Sequence, residues 1–200
     1  SASNGIVMEY LPRGSLESYL VDRKKRIALT HLEPDLLRFI MQIAIGMVAL
    51  QKHRIIHRDL AARNILISAR PNSSYLDVKI ADFGLSRSIP TSKDEYIDSS
   101  SLFLPTKWLA PECYSSNPRF TMQSDVWSFG VTGFEILDPT SKVVSMLPSD
   151  PSILTRKFES GWRLEKPGEM KKWMYSLLLR CWSMEPEDRI TFQQIVELLG

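Results

Sequence analysis

His57-Arg58-Asp59-Leu60-Ala61-Ala62-Arg63-Asn64 is the stretch on which the reading of this chain turns. Its polar residues are spaced for chemistry. Asp59 supplies a carboxylate that can orient a hydroxyl and accept its proton during attack on phosphorus. Asn64, five residues on, supplies an amide oxygen, a hard ligand of the kind magnesium takes. The bland reading of the same eight residues is a polar turn between a helix and a strand. The flanking sequence decides between the two.

On the N-terminal side, Leu36, Ile40, Ile43, Ala44, Met47 and Leu50 recur at spacings of three or four, with Arg38, Gln42 and Gln51 between them. That pattern predicts an amphipathic helix with a buried stripe. Thr30 and Glu33 have capping-box spacing, and Pro34 is tolerated only in a first turn. Further upstream, residues 6–11 read as a short strand entering a turn at Pro12-Arg13-Gly14. Ser15 can cap a short helix carrying Leu16, Tyr19 and Leu20 on one face.

On the C-terminal side, Ile65-Leu66-Ile67 and Val78-Lys79-Ile80 predict two short strands with a polar link over 70–75. Asp82-Phe83-Gly84 follows the second strand directly. A long irregular stretch over 85–105 comes next, and loops of that length inside a domain are usually functional. Ala110-Pro111-Glu112 lies beyond it. Helices are expected near 121–137, 171–182 and 190–199, joined by Pro-containing loops. Trp173, Trp182 and Met184 fall in those helical patterns and are expected in the core. His31 and His53 are expected at caps or on the surface.

Composition narrows the function classes. The 25 basic and 23 acidic residues nearly cancel, which gives no reason to expect a nucleic-acid partner. The basic cluster over 23–26 reads as a solvated helix end or loop. Cys113 and Cys181 stand far apart without metal-ligand spacing, so they read as packing residues in a reducing, intracellular setting. The longest apolar stretch, 39–50, is interrupted by Gln42 and falls short of the roughly 20 residues a membrane span takes, so no membrane segment is expected.

Taken together, H-R-D-L-x-x-x-N, D-F-G and A-P-E in this order resemble the signature set of protein kinases. The resemblance runs over residues 1–200, from the hinge to the last helix. It implies an α+β fold: the mainly helical C-terminal lobe of a kinase, with short β-hairpins at the catalytic cleft. It also implies ATP and Mg²⁺ as cofactors. Asp59 is then the base, with Asn64 and Asp82 on magnesium. Met8 matches the gatekeeper, Glu9 to Leu11 match the hinge that binds adenine, and Leu66 matches the residue beneath the ring. His57 and Phe83 match members of a hydrophobic spine. Asp125 matches the buried brace of the catalytic loop, and Glu112 and Arg189 match an ion pair tying down the activation segment.

The resemblance is to tyrosine kinases in particular. Ala61 stands two residues after Asp59, where serine/threonine kinases carry Lys, and Arg63 supplies the cation instead. Leu104-Pro105-Thr106-Lys107-Trp108-Leu109 resembles the platform beneath a substrate tyrosine. Cys181-Trp182 and Glu185-Pro186-Glu187-Asp188-Arg189 resemble the same group. The expected partner is a protein carrying a tyrosine. Tyr96 is the expected autophosphorylation site, its phosphate able to pair with Arg58.

Two departures accompany the match. The helix continuing through Val131-Thr132-Gly133-Phe134-Glu135-Ile136 is less apolar than usual in that group, and Pro148-Ser149-Asp150 is the nearest approach to its P-Y-P-G loop. No glycine-rich loop or strand lysine precedes the hinge, so roughly 80 further residues are expected before Ser1 by comparison with ordinary domain size. The parent is expected to be intracellular, or plasma-membrane-tethered if it is a receptor. The reading from another class is a non-catalytic pseudokinase or truncated lobe that binds partners, and retention of Asp59, Asn64 and Asp82 argues against it.

Overall fold

The computed structural model describes residues 8–24, 33–69, 75–97, 104–115, 117–138, 144 and 146–200. Helices α1 (Leu16–Lys24), α2 (Glu33–Lys52), α3 (Met122–Leu137), α4 (Pro151–Glu159), α5 (Lys172–Cys181) and α6 (Phe192–Leu199) carry most of the structure. Strands β1 (Ile55–Ile56), β2 (Ile65–Ala69), β3 (Leu76–Ile80), β4 (Arg87–Ser88), β5 (Tyr96–Ile97) and β6 (Arg119–Phe120) pair in three antiparallel ribbons: β1 with β4, β2 with β3, and β5 with β6. The fold is α+β and mainly helical, as the sequence implies.

The turn before α1 closes through Gly14 N–H to the Leu11 carbonyl at 3.3 Å, with Gly14 at φ 72°, a conformation glycine adopts without penalty. Ser15 then accepts the Ser18 N–H at 3.2 Å and starts the helix. Met8–Leu11 form no strand, contrary to expectation. The chain meets β2 just beyond this segment, where the Gly14 carbonyl accepts the Ile67 N–H at 3.0 Å. Ile6 and Val7, Thr30, His31, the link over 70–74 and part of the 23–26 cluster lie outside the described residues.

Helix α2 meets the length and composition of a membrane span over Pro34–Lys52, a test that the core helix of a folded domain also passes. Its packing makes it a core helix. Leu36, Phe39, Ile40, Ile43, Ala44 and Met47 are buried. Its polar residues face β3: Arg38 donates to the Leu76 carbonyl at 3.0 Å, and Gln42 bonds both Asp77 Oδ1 (2.6 Å) and Val78 N–H (2.9 Å).

Helix α3 is buried along nearly its whole length. Thr121 and Ser124 form its capping box. Glycines admit α5 on one side, with the Trp182 indole seated on Gly130. On another side Phe129 meets Phe192 of α6 edge to face at 5.5 Å. Trp182 is buried and Met184 packs against the core, but Trp173 is 48% exposed, on the outer face of α5, which corrects the core assignment from its helical pattern. Helix α4 occupies a region expected to be loop. Asp150 caps it, accepting the Ser152 N–H at 2.8 Å, and Pro151 takes its first position.

Candidate active site

The loop 57–64 is built by reaching across the sequence. Asp125, 1% exposed on α3, accepts the His57 N–H at Oδ2 (2.7 Å) and the Arg58 N–H at Oδ1 (3.0 Å). Those bonds hold Arg58 at φ 68°, a conformation costly for a side chain larger than Asn. Burial pushes the Asp125 carboxyl up to about 7, against the pull of those two N–H groups and the Arg58 charge.

Asp125 begins a polar stripe down one side of α3. Ser128 donates to the Trp108 carbonyl at 2.8 Å, and Thr132 to the Leu60 carbonyl at 3.2 Å. Glu135 Oε2 accepts the Trp108 indole N–H at 2.8 Å and the Ala62 N–H at 3.1 Å. Residues 125, 128, 132 and 135 thus share one helical face aimed at the loop 57–64 and the segment 104–109. The unusual polarity of this helix has its physical reason here: its side chains satisfy backbone groups that irregular buried segments leave open.

At the far end of the loop, Asn64 Nδ2 donates to the Asp59 carbonyl and to Asp59 Oδ2, both at 2.8 Å. Asp59 Oδ1 accepts from Arg63, whose guanidinium stacks 4.5 Å over the Trp108 ring. The Asn64 amide nitrogen is committed to Asp59, and its oxygen accepts no hydrogen bond among the described residues. The β2–β3 hairpin then delivers Asp82, in an exposed turn at φ 60°. Asp82 Oδ1 accepts the Gly84 N–H at 3.3 Å.

His57 sits between these groups. Its Nε2 lies 3.1 Å from the Ala81 carbonyl, and its ring packs 5.3 Å from Phe83. Burial lowers its pKa, while the charges of Asp59 and Asp82 oppose that shift. The two carboxylates are therefore neighbours of a single imidazole. No group of three or more His, Cys, Asp or Glu side chains that could hold a metal occurs among the described residues. Asn64 and Asp82 fit a magnesium ion that completes its shell with phosphate and water, the usual habit of that ion.

Residues 9 and 15 each touch the β2–β3 hairpin. Leu66 bridges Ser15, and Glu9 pairs with Lys79 of β3 at 2.6 Å. Met8 is largely exposed and Leu11 is half-buried.

Beyond Gly84 the chain is tied back repeatedly. Ile89 N–H donates to the Arg54 carbonyl at 2.9 Å, and the Arg54 guanidinium returns to Ile89 (3.3 Å) and Pro90 (3.0 Å). The stretch expected to be irregular thus contains β4 and β5. Tyr96 lies in β5, half-buried, with the guanidinium of buried Arg58 at 5.1 Å and that of Arg87 at 5.8 Å from its ring centroid. Residues 98–103 lie outside the described residues. The segment 104–109 is anchored by Tyr114, whose hydroxyl sits between the carbonyls of Thr106 and Leu109. Glu112 pairs with Arg189 at 2.6 Å.

Every candidate residue in the loop 57–64 is thus brought to one place with Asp82, Phe83 and the 104–109 platform. Glu135 was not singled out from sequence. Its signal was the polar stripe within an otherwise apolar helix.

Comparison with known proteins agrees with this geometry. The family described as protein tyrosine and serine/threonine kinase matches residues 1–199. Tyrosine-protein kinase JAK1 of Danio rerio is 37% identical over 96% of this chain and 17% of its own length. The tyrosine-protein kinase receptor torso of Bombyx mori is 41% identical over 85% of this chain and 20% of its own. The megakaryocyte-associated tyrosine-protein kinase of Mus musculus is 38% identical over 98% of this chain and 35% of its own. The chain therefore spans between about a sixth and a third of the length of these relatives. Motifs, geometry and relatives converge, and the chain belongs to the protein tyrosine and serine/threonine kinase family, within its tyrosine-kinase group.

Proposed function

We propose that the protein carrying this chain transfers the γ-phosphoryl group of ATP to tyrosine hydroxyls of proteins. Asp59 orients the attacking hydroxyl and accepts its proton, and Arg63 places a cation beside it. Met8, Glu9 and Leu11 border the adenine, with Leu66 beneath it. Asn64 and Asp82 would hold magnesium, which when bound neutralises charge on the phosphates. The reading places the site on the cytoplasmic side of the cell, in a receptor or a soluble enzyme alike. The lysine and glutamate pair that positions the phosphates in kinases has no matching motif among residues 1–200, and these residues by themselves are proposed to be inactive.

The single observation that carries this reading is the set of bonds around Asp59. Its carboxylate is held by Asn64 and Arg63 at the end of a loop braced from α3, and Asp82 lies between Ala81 and Phe83, which both contact the His57 ring. That is a preorganised proton acceptor beside a cation site. Tyr96 is the proposed autophosphorylation site. A phosphate there adds about −1.5 to −2 charges next to Arg58 and Arg87, already at its ring.

The experiment is Asp59→Asn in the full-length protein, assayed for ATP-dependent tyrosine phosphorylation alongside a thermal melt. Transfer should disappear while the melt is kept. Wild-type turnover in the variant would remove Asp59 from the role of base.

A further inference from the structure

Glu135 is a half-buried carboxylate in a helix whose neighbouring positions, Phe134 and Ile136, are fully buried and apolar. Burial raises its pKa, and Glu17 adds to the cost of its charge. An apolar side chain would pack here without that penalty. Its partners show what the carboxylate does. One oxygen, Oε2, accepts the Ala62 N–H from the catalytic loop and the Trp108 indole N–H from the 104–109 platform. Trp108 in turn carries the Arg63 guanidinium on its face, and Arg63 bonds the Asp59 carboxylate. Ser128 fixes the Trp108 carbonyl from the same helix face, so both the backbone and the ring edge of Trp108 are held.

We propose that Glu135 is a positioning residue for the tyrosine-bearing substrate, clamping the platform tryptophan to the catalytic loop so that Arg63 and Asp59 meet the hydroxyl in one fixed geometry. This inference rests on the proposed tyrosine-kinase activity and adds to it the element that sets the distance between platform and base. Both of these bonds run to the catalytic loop and the 104–109 platform. Its loss should therefore act on the protein substrate and not on ATP. A misplacement of about 1 Å at a reacting centre can cost about a hundredfold in rate.

The test compares wild type, Glu135→Leu, Glu135→Gln and Trp108→Phe in the full-length protein. The readouts are kcat and KM for a tyrosine peptide, KM for ATP, and the melting temperature. Glu135→Leu should lower kcat/KM for the peptide by about tenfold or more, with KM for ATP unchanged. Glu135→Gln, whose amide oxygen still accepts both N–H groups, should recover most of the loss. Trp108→Phe should reproduce the Leu phenotype, and adding Glu135→Leu to it should change little further. Wild-type peptide kinetics in Glu135→Leu would overturn the proposal. So would an equal fall in peptide and ATP parameters that follows the melting temperature. A wild-type protein without tyrosine transfer would remove the proposed function and this role with it, a result visible before any variant is compared.

Discussion

Arg189 grips Glu112 with two parallel hydrogen bonds, Nη1 to Oε1 at 2.6 Å and Nη2 to Oε2 at 2.9 Å, across 77 residues of sequence. The same guanidinium donates to the carbonyls of Ser183 (2.9 Å), Gln123 (3.0 Å) and Met184 (3.1 Å). One side chain thereby joins the A-P-E segment, the start of α3 and the turn after α5. Lysine cannot reproduce that planar fork. Arg189→Lys and Glu112→Gln should each destabilise the fold, and Arg189→Met should cost about 3–5 kcal/mol by leaving the carboxylate unpaired. Urea unfolding of the three variants checks the order.

Gly130 is where α5 comes closest to α3. A Cβ there would stand 2.6 Å from Trp182 Nε1 and 2.8 Å from Cys181 Cβ. Alanine gains about 1 kcal/mol of helix propensity, but overpacking against a buried indole costs about 1–3 kcal/mol. The net effect of Gly130→Ala should be a lower Tm. Gly133→Ala meets only the Leu178 Cδ2 methyl at 3.0 Å, the end of a side chain that can turn aside, and should lose less. Thermal melts of the pair decide the ranking.

Neither cysteine should react in the folded protein. Burial pushes the Cys181 thiol up to about 12 and raises that of Cys113 further, so almost no thiolate exists near neutral pH. Labelling with a colourless disulfide reagent at pH 8 should be negligible until denaturant is added, and should then reach both thiols. Rapid labelling of the native chain would contradict their packing.

The Asp125 carboxyl, held at about 7 against 3.8 in an unconstrained chain, makes stability fall with rising pH. Between those values the folded state keeps a proton that the unfolded state has lost, so the contribution is full below about 4 and gone above about 7. Asp125→Asn, which cannot titrate, should be less stable than wild type at pH 4.5. The gap should narrow as pH approaches 7.5. Unfolding free energies across that range give the slope directly.

Much of the site was legible because it is local. Asp59, Arg63 and Asn64 lie within one turn and bond one another, so their spacing alone encodes their geometry. Likewise Ser15 announces a helix start by a side chain that caps within three residues. What stayed hidden depends on distant partners. Glu135 stands in a helix that reads only as less apolar than usual, and its partners lie 73 and 27 residues away. Trp173 has the spacing of a core residue but faces outward, because α5 buries only one of its faces. Helix α4 is short, and its Asp-Pro start reads equally well as a turn.

The brace from Asp125 to residues 57 and 58 also imposes an order of assembly. During synthesis the catalytic loop emerges almost 70 residues before the side chain that holds Arg58 in its strained conformation. Local sequence gives the loop no means to keep that shape alone. A nascent chain halted between Asn64 and α3 therefore carries every residue of the H-R-D motif but not the brace that holds Arg58. The braced form of the loop is complete only once α3 docks.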